Sequence, residues 1–195
     1  QYCTFSGCDF SNNTAGINVG AVYIKNSSNT SMAGCTFTGN SATEYGGALY
    51  INASSTCYLE ACEFTSNNAG LTGGALYIDS SSEVEFLYCT ISGNEASSRG
   101  GGIHLYNSSP AIDSCWIQSN TAVIGGGISS LGSSNPTLTF TKVCDNTLDQ
   151  INGNWQDIIG NCISAVCDTD GDGTFDCFDE CPNDPLKIEP GVCGC

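Results

Sequence analysis

The stretch Cys35-Thr-Phe-Thr-Gly-Asn-Ser-Ala42 and its companion Gly46-Gly-Ala-Leu-Tyr-Ile51 decide the fold, because both recur along most of the chain. The first pattern returns at steps of 27, 27, 27 and 26 residues, counted between these cysteines: Cys8, Cys35, Cys62, Cys89 and Cys115. A weaker apolar segment comes before each cysteine, as in Val84-Glu-Phe86. A fixed period of this length is typical of a solenoid, in which each repeat stacks on the next.

Each repeat holds about three short strands separated by Gly, Asn and Ser, and no stretch keeps an apolar period of 3.6 residues. The chain is therefore predicted to be all-β. Three strands at a constant period describe one rung of a parallel β-helix, whose rungs stack at roughly 4.8 Å. The repeats predict about five to six rungs, followed by a C-terminal segment of different composition.

Stacking of rungs places equivalent residues in columns. Besides the cysteines, the predicted columns are Phe10, Phe37, Phe64, Ile91 and Ile117; Leu49, Ile51, Leu76, Ile78, Ile103 and Leu105; and Asn13, Asn40, Asn67, Asn94 and Asn120. Each Asn amide is expected to bond to the amide one rung away, and Asn also tolerates a left-handed bend. For the cysteines two interpretations stay open, disulfides between rungs or a column of buried thiols.

These repeated units resemble the right-handed β-helix proteins of the pectin-lyase-like superfamily. The likeness is to surface members such as polymorphic outer-membrane proteins, which repeat Cys-x-Phe-x-x-Asn-x-Ala and Gly-Gly-Ala-Ile units. It covers residues 1–163 and implies a right-handed β-helix. It says little about function, because the same scaffold carries lyases, hydrolases, adhesins and structural proteins.

Residues 143–162 depart from the repeat and are predicted to form a final, irregular rung that covers the end of the core. Trp155, Ile158 and Ile159 are expected to supply its apolar lid. Cys144 and Cys162 flank this rung, and a disulfide between them would fasten it.

Residues 167–181 carry acidic side chains at alternate positions. Asp168, Asp170 and Asp172 occupy positions 1, 3 and 5 of a calcium loop, and Gly173 occupies position 6. The carbonyl of Thr174, Asp176 and Asp179 follow at positions 7, 9 and 12. Short carboxylates at this spacing can converge on one hard cation, so the sequence predicts a Ca²⁺ site. The alternative is a solvated acidic segment.

The Asp-x-Asp-x-Asp-Gly-x-x-Asp-x-x-Asp run with flanking Cys resembles a thrombospondin type 3 repeat. That resemblance implies structural Ca²⁺ and little regular secondary structure for a second domain at residues 164–195. Four cysteines there are expected to form two disulfides of undetermined pairing, with a Zn²⁺ site as the alternative: Cys177, Cys181, Cys193 and Cys195.

Fourteen Cys in 195 residues indicate an oxidising compartment, so the protein is predicted to be extracellular or at the cell surface. The absence of a signal peptide and of an initiating Met suggests a mature form or a fragment. Five Asn-x-Ser/Thr sequons are candidate glycosylation sites: Asn12, Asn26, Asn29, Asn52 and Asn107. The last four lie in or near one turn of the rung.

The chain carries a formal net charge of −16 and only four Lys or Arg residues. Nucleic acid is therefore excluded as a partner, since no basic patch can form, and attachment to anionic lipid by a polybasic segment fails for the same reason. No apolar run approaches the roughly 20 residues of a membrane-spanning helix.

Tyr23, Tyr50, Tyr77 and His104 form a further column, which we call the ring row. Strand alternation places it opposite the apolar column, so it is expected to face outward as a row of exposed rings. Such a row could stack on sugar rings of an extracellular glycan or on a neighbouring subunit. The alternative is a stripe that only stabilises the sheet.

Enzymatic chemistry is not favoured. The only Arg, Arg99, lies at a Gly-rich turn, and acids such as Asp79 and Asp113 are scattered. The sequence instead favours a secreted structural protein. Because the chain begins in the middle of a rung, it is expected to stack head to tail into a fibre. The alternatives are a glycan-binding adhesin and, third, a polysaccharide lyase or hydrolase.

Overall fold

A computed structural model describes residues 2–26, 28–80 and 82–190. In these ranges the protein is an all-β parallel solenoid of about six turns, without a helix. This confirms the predicted fold class. The division into domains at residue 163 stays a prediction.

Four parallel sheets run along the solenoid. The first comprises Tyr2–Ser6, Asn29–Ala33, Thr56–Glu60, Glu83–Leu87, Ala111–Asp113, Thr137–Thr139 and Gln156–Ile159. The second comprises Asp9–Ser11, Thr36–Thr38, Glu63–Thr65, Thr90–Ser92, Trp116–Gln118, Lys142–Cys144 and Cys162–Ile163. The third comprises Thr14–Ala15, Ser41–Ala42, Asn68–Ala69 and Glu95–Ala96. The fourth comprises Val22–Ile24, Leu49–Ile51, Leu76–Asp79, Ile103–Tyr106, Ile128–Leu131 and Ile151–Asn152.

The short third sheet corrects the prediction of three strands per rung. Each of its first three strands ends on the Ala of the repeated Cys-x-Phe-x-x-Asn-x-Ala unit, and Ala69 is fully buried. A strand of two residues is too short to show the alternation that identifies longer strands.

The core confirms the predicted apolar columns. The rings of Phe10 and Phe37 stack with centroids 4.7 Å apart, and those of Phe37 and Phe64 with centroids 4.6 Å apart. Leu76 and Ile78 of the fourth sheet are fully buried and belong to the same core as these rings. The aromatic stack and the aliphatic column thus belong to one hydrophobic core.

The Asn column is a continuous hydrogen-bonded ladder. Asn67 Nδ2 donates to Asn94 Oδ1 (2.9 Å) and to the carbonyl of Phe37 (2.9 Å), while Asn67 Oδ1 accepts from the backbone N–H and Nδ2 of Asn40 (both 2.9 Å). Asn146 adds a further step, and Gln150 ends it by accepting from Asn146 Nδ2 (2.8 Å). The predicted amide-to-amide bonds are confirmed.

The left-handed residue of this bend is the one before the ladder Asn, not the Asn itself. The backbone φ is positive at each of these positions: Asn12, Gly39, Ser66, Gly93, Ser119 and Asp145. The left-handed bend predicted at the ladder Asn therefore lies one position earlier in the chain. The ladder Asn contributes hydrogen bonds instead of backbone tolerance.

The cysteine column consists of free thiols, which settles the alternative left open by the sequence. Cys35 and Cys62 are fully buried, and all five cysteines of the column are unpaired. Cys62 Sγ lies 3.5 Å from the carbonyl oxygens of Met32 and Glu60, and burial raises the pKa of the Cys35 thiol. These thiols pack as small apolar groups.

The end of the core differs in part from the expected lid. Trp155 packs against the core, together with Ile151 and Ile163. Ile158 and Ile159 are 55% and 57% exposed, so their assignment to the lid is wrong. They lie in the last strand of the first sheet, whose pairing with Thr137–Thr139 shifts register, and this irregularity breaks the inward alternation.

Candidate functional site

The acidic C-terminal segment is tied to the last turns of the solenoid by two disulfides. Cys144 pairs with Cys167, and Cys162 pairs with Cys177. The predicted Cys144–Cys162 bond is therefore wrong, because each of these cysteines reaches into the acidic segment. Cys181 is also disulfide-bonded.

The expected pairing of the tail cysteines among themselves is wrong for Cys177, whose partner belongs to the solenoid. The other two candidates, Cys193 and Cys195, lie outside the described residues. Because Cys177 and Cys181 are both in disulfides, a Zn²⁺ site that uses their thiolates is excluded.

Three of the predicted calcium ligands come together. Carboxylate oxygens of Asp168, Asp170 and Asp172 all lie within 4.8 Å of one another. The loop holds them by local bonds to backbone amides: Asp168 accepts from the N–H groups of Gly171 (2.7 Å) and Gly173 (2.9 Å). Alternate residues therefore point their carboxylates to one side of a tight turn.

Asp170 and Asp179 each carry a buried carboxylate oxygen, Oδ2, without a hydrogen-bond partner among the described residues. Asp179 is only 7% exposed. Desolvation and the negative charges of Asp172, Asp179 and Asp168 raise the pKa of Asp170. Buried carboxylate oxygens are normally paired or bound to a metal, so this group of like charges fits a cation with oxygen ligands.

Asp176 and Thr174, two further predicted ligands, make hydrogen bonds within the loop. Both carboxylate oxygens of Asp176 accept from Thr169, one from its backbone N–H (2.8 Å) and one from its hydroxyl (2.7 Å). Thr174 donates its backbone N–H to Asp172 Oδ1 (2.6 Å). The fold thus brings together Asp168, Asp170 and Asp172 of the predicted set, and the charge of Asp179 acts on Asp170. These four residues are called the acidic cluster.

A second group of potential ligands, Cys144, Asp145 and Cys167, is also compact. Its two sulfurs form a disulfide, so neither is available as a thiolate. Asp145 Oδ1 accepts from the backbone N–H of Cys167 (3.2 Å). This group is structural.

The acidic segment also contacts the solenoid through an aromatic ring that sequence reasoning missed. The ring of Phe175 lies edge-on to Trp116, with centroids 5.4 Å apart. Lys142 Nζ lies 3.5 Å from the centroid of Phe175 and 5.5 Å from that of Trp116. Desolvation lowers the pKa of Lys142. The sequence did carry one signal for this contact, because Phe175 is an apolar residue inside an otherwise acidic loop.

The ring row faces outward but is largely covered. Tyr23 and Tyr50 stack at 4.8 Å and Tyr77 and His104 stack at 5.2 Å, yet Tyr50 is 8% and His104 is 3% exposed. The predicted row of exposed rings is wrong for these two residues. Burial raises the pKa of Tyr50 to about 12, and burial next to Arg99 lowers the pKa of His104 to about 4.

The turn that precedes each Gly-Gly pair covers the ring row. The ring of Tyr45 stacks on Tyr77 with centroids 5.2 Å apart. Gly73 has a φ of +71°, and a Cβ there would lie 2.5 Å from the carbonyl oxygen of Leu76. The turn therefore folds directly against the strand, a close approach that only glycine permits.

The five sequon asparagines occupy different environments. Asn12 and Asn26 are exposed at left-handed positions, whereas Asn29 lies within a strand. The amide nitrogen of Asn52 donates to the hydroxyl of one ring-row tyrosine (2.8 Å), and Asn107 Oδ1 accepts from a backbone N–H of the next rung (3.1 Å). Glycosylation at all five stays a prediction.

A comparison with protein families agrees with the geometry, because the family described as a right handed beta helix region matches residues 1–143. The chain belongs to this right-handed β-helix family. No match to a curated protein or to a solved structure was found. The family assigns the fold and its hand, while the acidic segment lies beyond the matched residues.

Within the described residues, no helix has the length and apolar character needed to cross a membrane. Two disulfides with defined partners lie near the C-terminal end of the solenoid. The disulfides are consistent with an extracellular protein.

Proposed function

We propose that this β-helix chain is a non-enzymatic structural protein of the extracellular space whose acidic cluster binds one structural Ca²⁺ ion. The observation that carries the proposal is the buried, unpartnered oxygen of Asp170, whose carboxylate lies within 4.8 Å of those of Asp168 and Asp172, together with a second such oxygen on Asp179, whose charge acts on Asp170. The spacing of the acidic residues resembles a thrombospondin type 3 repeat, which supports the same cation.

The chemistry of the donors favours Ca²⁺ over softer metals. The cluster offers carboxylate oxygens only, and Ca²⁺ takes six to eight oxygen ligands in flexible geometry. Like-charged carboxylates in close proximity repel one another without a counter-ion. Bound Ca²⁺ would supply positive charge at the cluster, so these residues would no longer oppose the folding of the segment.

Calorimetric titration of the EDTA-treated protein with Ca²⁺ tests this proposal. We expect one Ca²⁺ per chain and a rise in Tm, because a ligand at 100 times its Kd stabilises the folded state by about 2.7 kcal/mol. Asp170→Asn is expected to weaken binding at least tenfold, since it removes one carboxylate charge from the cluster.

Asp184→Asn is the matched control, because it removes the same charge from the same segment. Asp184 pairs with Lys187 at 3.8 Å and is not a member of the acidic cluster. Its titration should match that of the parent protein. Absence of binding heat in the parent, with a Tm that Ca²⁺ does not change, would contradict the proposal.

Burial of His104 supports a non-enzymatic role. This single His lies 3% exposed beneath the turn that covers the ring row, and its lowered pKa keeps it neutral at pH 7. An imidazole that is 3% exposed is poorly placed to exchange protons with a substrate. Turnover of acidic polysaccharides by the purified protein would contradict this part of the proposal.

Head-to-tail stacking into a fibre stays a prediction of the sequence. Parallel strands present unpaired N–H and C=O groups at the ends of a solenoid, and these can template another chain. Electron microscopy of the native protein with and without a chelator tests it, and monomers under both conditions would rule the fibre out. Glycan binding by the ring row is less favoured, because two of its four rings, Tyr50 and His104, are buried.

A further inference from the structure

Three successive strands of the second sheet present outward residues in register beneath the acidic segment. Trp116 pairs with Lys142, and Lys142 pairs with Cys162. The residues that follow the first two, Ile117 and Val143, are buried in the core. Strand alternation therefore places Trp116 and Lys142 on the outer face of the sheet.

The loop that carries the acidic cluster is fixed to this face at both ends. The disulfide from Cys167 reaches Cys144, which ends the strand that begins at Lys142. The disulfide from Cys177 reaches Cys162 on the next strand. Residues 168–176 therefore span a short distance between two covalent anchors.

Phe175, two residues before the Cys177 anchor, packs this loop against the sheet. Its ring meets Trp116 edge-on at 5.4 Å, and Lys142 Nζ lies 3.5 Å from its centroid. A cation over an aromatic face is attracted by the ring quadrupole, more strongly when it is partly desolvated. Trp116, Lys142 and Phe175 thus form one contact, which we call the docking contact.

The backbone of Phe175 also sets the position of the acidic cluster. Its carbonyl oxygen accepts from the N–H groups of Phe178 (2.7 Å) and Asp179 (3.0 Å). The adjacent Asp176 donates its N–H to the carbonyl of Cys167 (3.0 Å). Displacement of the Phe175 backbone would therefore move the turn that carries Asp179.

We propose that the docking contact is a positioning element for the cation site: Phe175, seated on Lys142 and Trp116, holds Asp179 beside the other carboxylates and couples cation binding to the last turns of the solenoid. This inference rests on the proposed binding of Ca²⁺ by the acidic cluster. By linkage, ligand binding that favours the docked loop also strengthens its contact with Trp116.

Fluorescence of Trp116 during a Ca²⁺ titration tests the coupling. The chain contains two Trp, so a Trp155→Phe background leaves Trp116 as the reporter. We expect its emission to change with the same midpoint as the calorimetric titration. Phe175→Ala in this background should abolish the emission change and weaken Ca²⁺ binding about five- to tenfold.

Phe178→Ala is the matched control, since Phe178 belongs to the same loop but is 54% exposed and makes no ring contact with the solenoid among the described residues. It should bind Ca²⁺ within twofold of the parent. Lys142→Met should weaken binding as Phe175→Ala does, while Lys142→Arg, which keeps the cation, should restore it. If Phe175→Ala fails to fold, Lys142→Met still tests the docking contact.

The two proposals fail in different ways. If the parent shows no calorimetric binding of Ca²⁺, the proposed function and this inference both fall. If the parent binds Ca²⁺ but Phe175→Ala and Lys142→Met bind it equally well, the docking contact has no positioning role. An unchanged Trp116 emission in a parent that binds Ca²⁺ also overturns the coupling.

Discussion

Replacing Asn67 by alanine should cost the solenoid about 4 kcal/mol of unfolding free energy. The Asn67 side chain uses all of its hydrogen-bonding capacity, with two donors and two accepted bonds at about 2.9 Å. It is 1% exposed, and its partner Asn40 is fully buried. Water therefore has no ready access to the groups that the substitution leaves behind.

The magnitude follows from the donors that lose their partner. Without Asn67 Oδ1, the backbone N–H and one Nδ2 hydrogen of Asn40 have no acceptor, and each buried unsatisfied donor costs about 1–3 kcal/mol. The acceptors lose less, because Asn94 Oδ1 still accepts from the backbone N–H of residue 67 (2.9 Å). Two donors at an intermediate cost give about 4 kcal/mol.

Urea unfolding followed by far-UV circular dichroism at pH 7 measures this loss. Asn13→Ala is the control, since Asn13 is exposed and its side chain makes one hydrogen bond within the described ranges, from Nδ2 to Asn40 Oδ1 (2.9 Å). Its loss should cost about 1 kcal/mol or less. Equal losses for the two variants would refute the claim that burial sets the strength of the ladder.

Two further predictions concern the turns and the ring row. Gly74→Ala should cost about 3 kcal/mol of unfolding free energy or prevent folding, because its Cβ would lie 2.1 Å from the carbonyl oxygen of Gly101. Gly16→Ala is the control, since a Cβ there would meet open space. Its unfolding free energy in the same urea assay should stay within about 0.5 kcal/mol of the parent. The pKa of His104 is about 4 in the folded state and 6.5 in the unfolded state, so the folded state favours the neutral imidazole. The contribution of His104 to the free energy of unfolding is therefore complete above pH 6.5. It falls by about 3 kcal/mol as the pH drops toward 4. His104→Tyr, the residue that preceding rungs carry at this position, should remove that part of the pH dependence, and parallel pH profiles of parent and variant would contradict this assignment.

The solenoid was predictable because its stabilising contacts join equivalent residues of successive rungs, and these residues are therefore repeated in the sequence. A Phe at position 37 that repeats at position 64 reports both the register and the interior face. The same holds for the Asn ladder, whose bonds join equivalent residues. Where the repeat has no alternation, as in the strand Asn68–Ala69, the sequence carried no comparable signal.

Features that depend on one element lying over another were not predictable. Strand alternation placed Tyr50 on the outer face correctly, but its burial depends on the turn carrying Tyr45. The pairing of Cys144 with Cys167 depends on the acidic segment folding back along the second sheet. Spacing in a sequence gives neither kind of contact, since both are long-range.

The two C-terminal disulfides have a mechanical consequence. In a parallel solenoid the bonds between turns lie along the axis, so tension along the axis would peel off one turn after another. A released turn of 27 residues would lengthen the chain by roughly 90 Å. Residues 144–177 are closed into loops by the two disulfides and cannot be drawn out until these are reduced. The disulfide-bonded C-terminal end would therefore resist extension, and the chain would lengthen only by unfolding of the turns before Cys144.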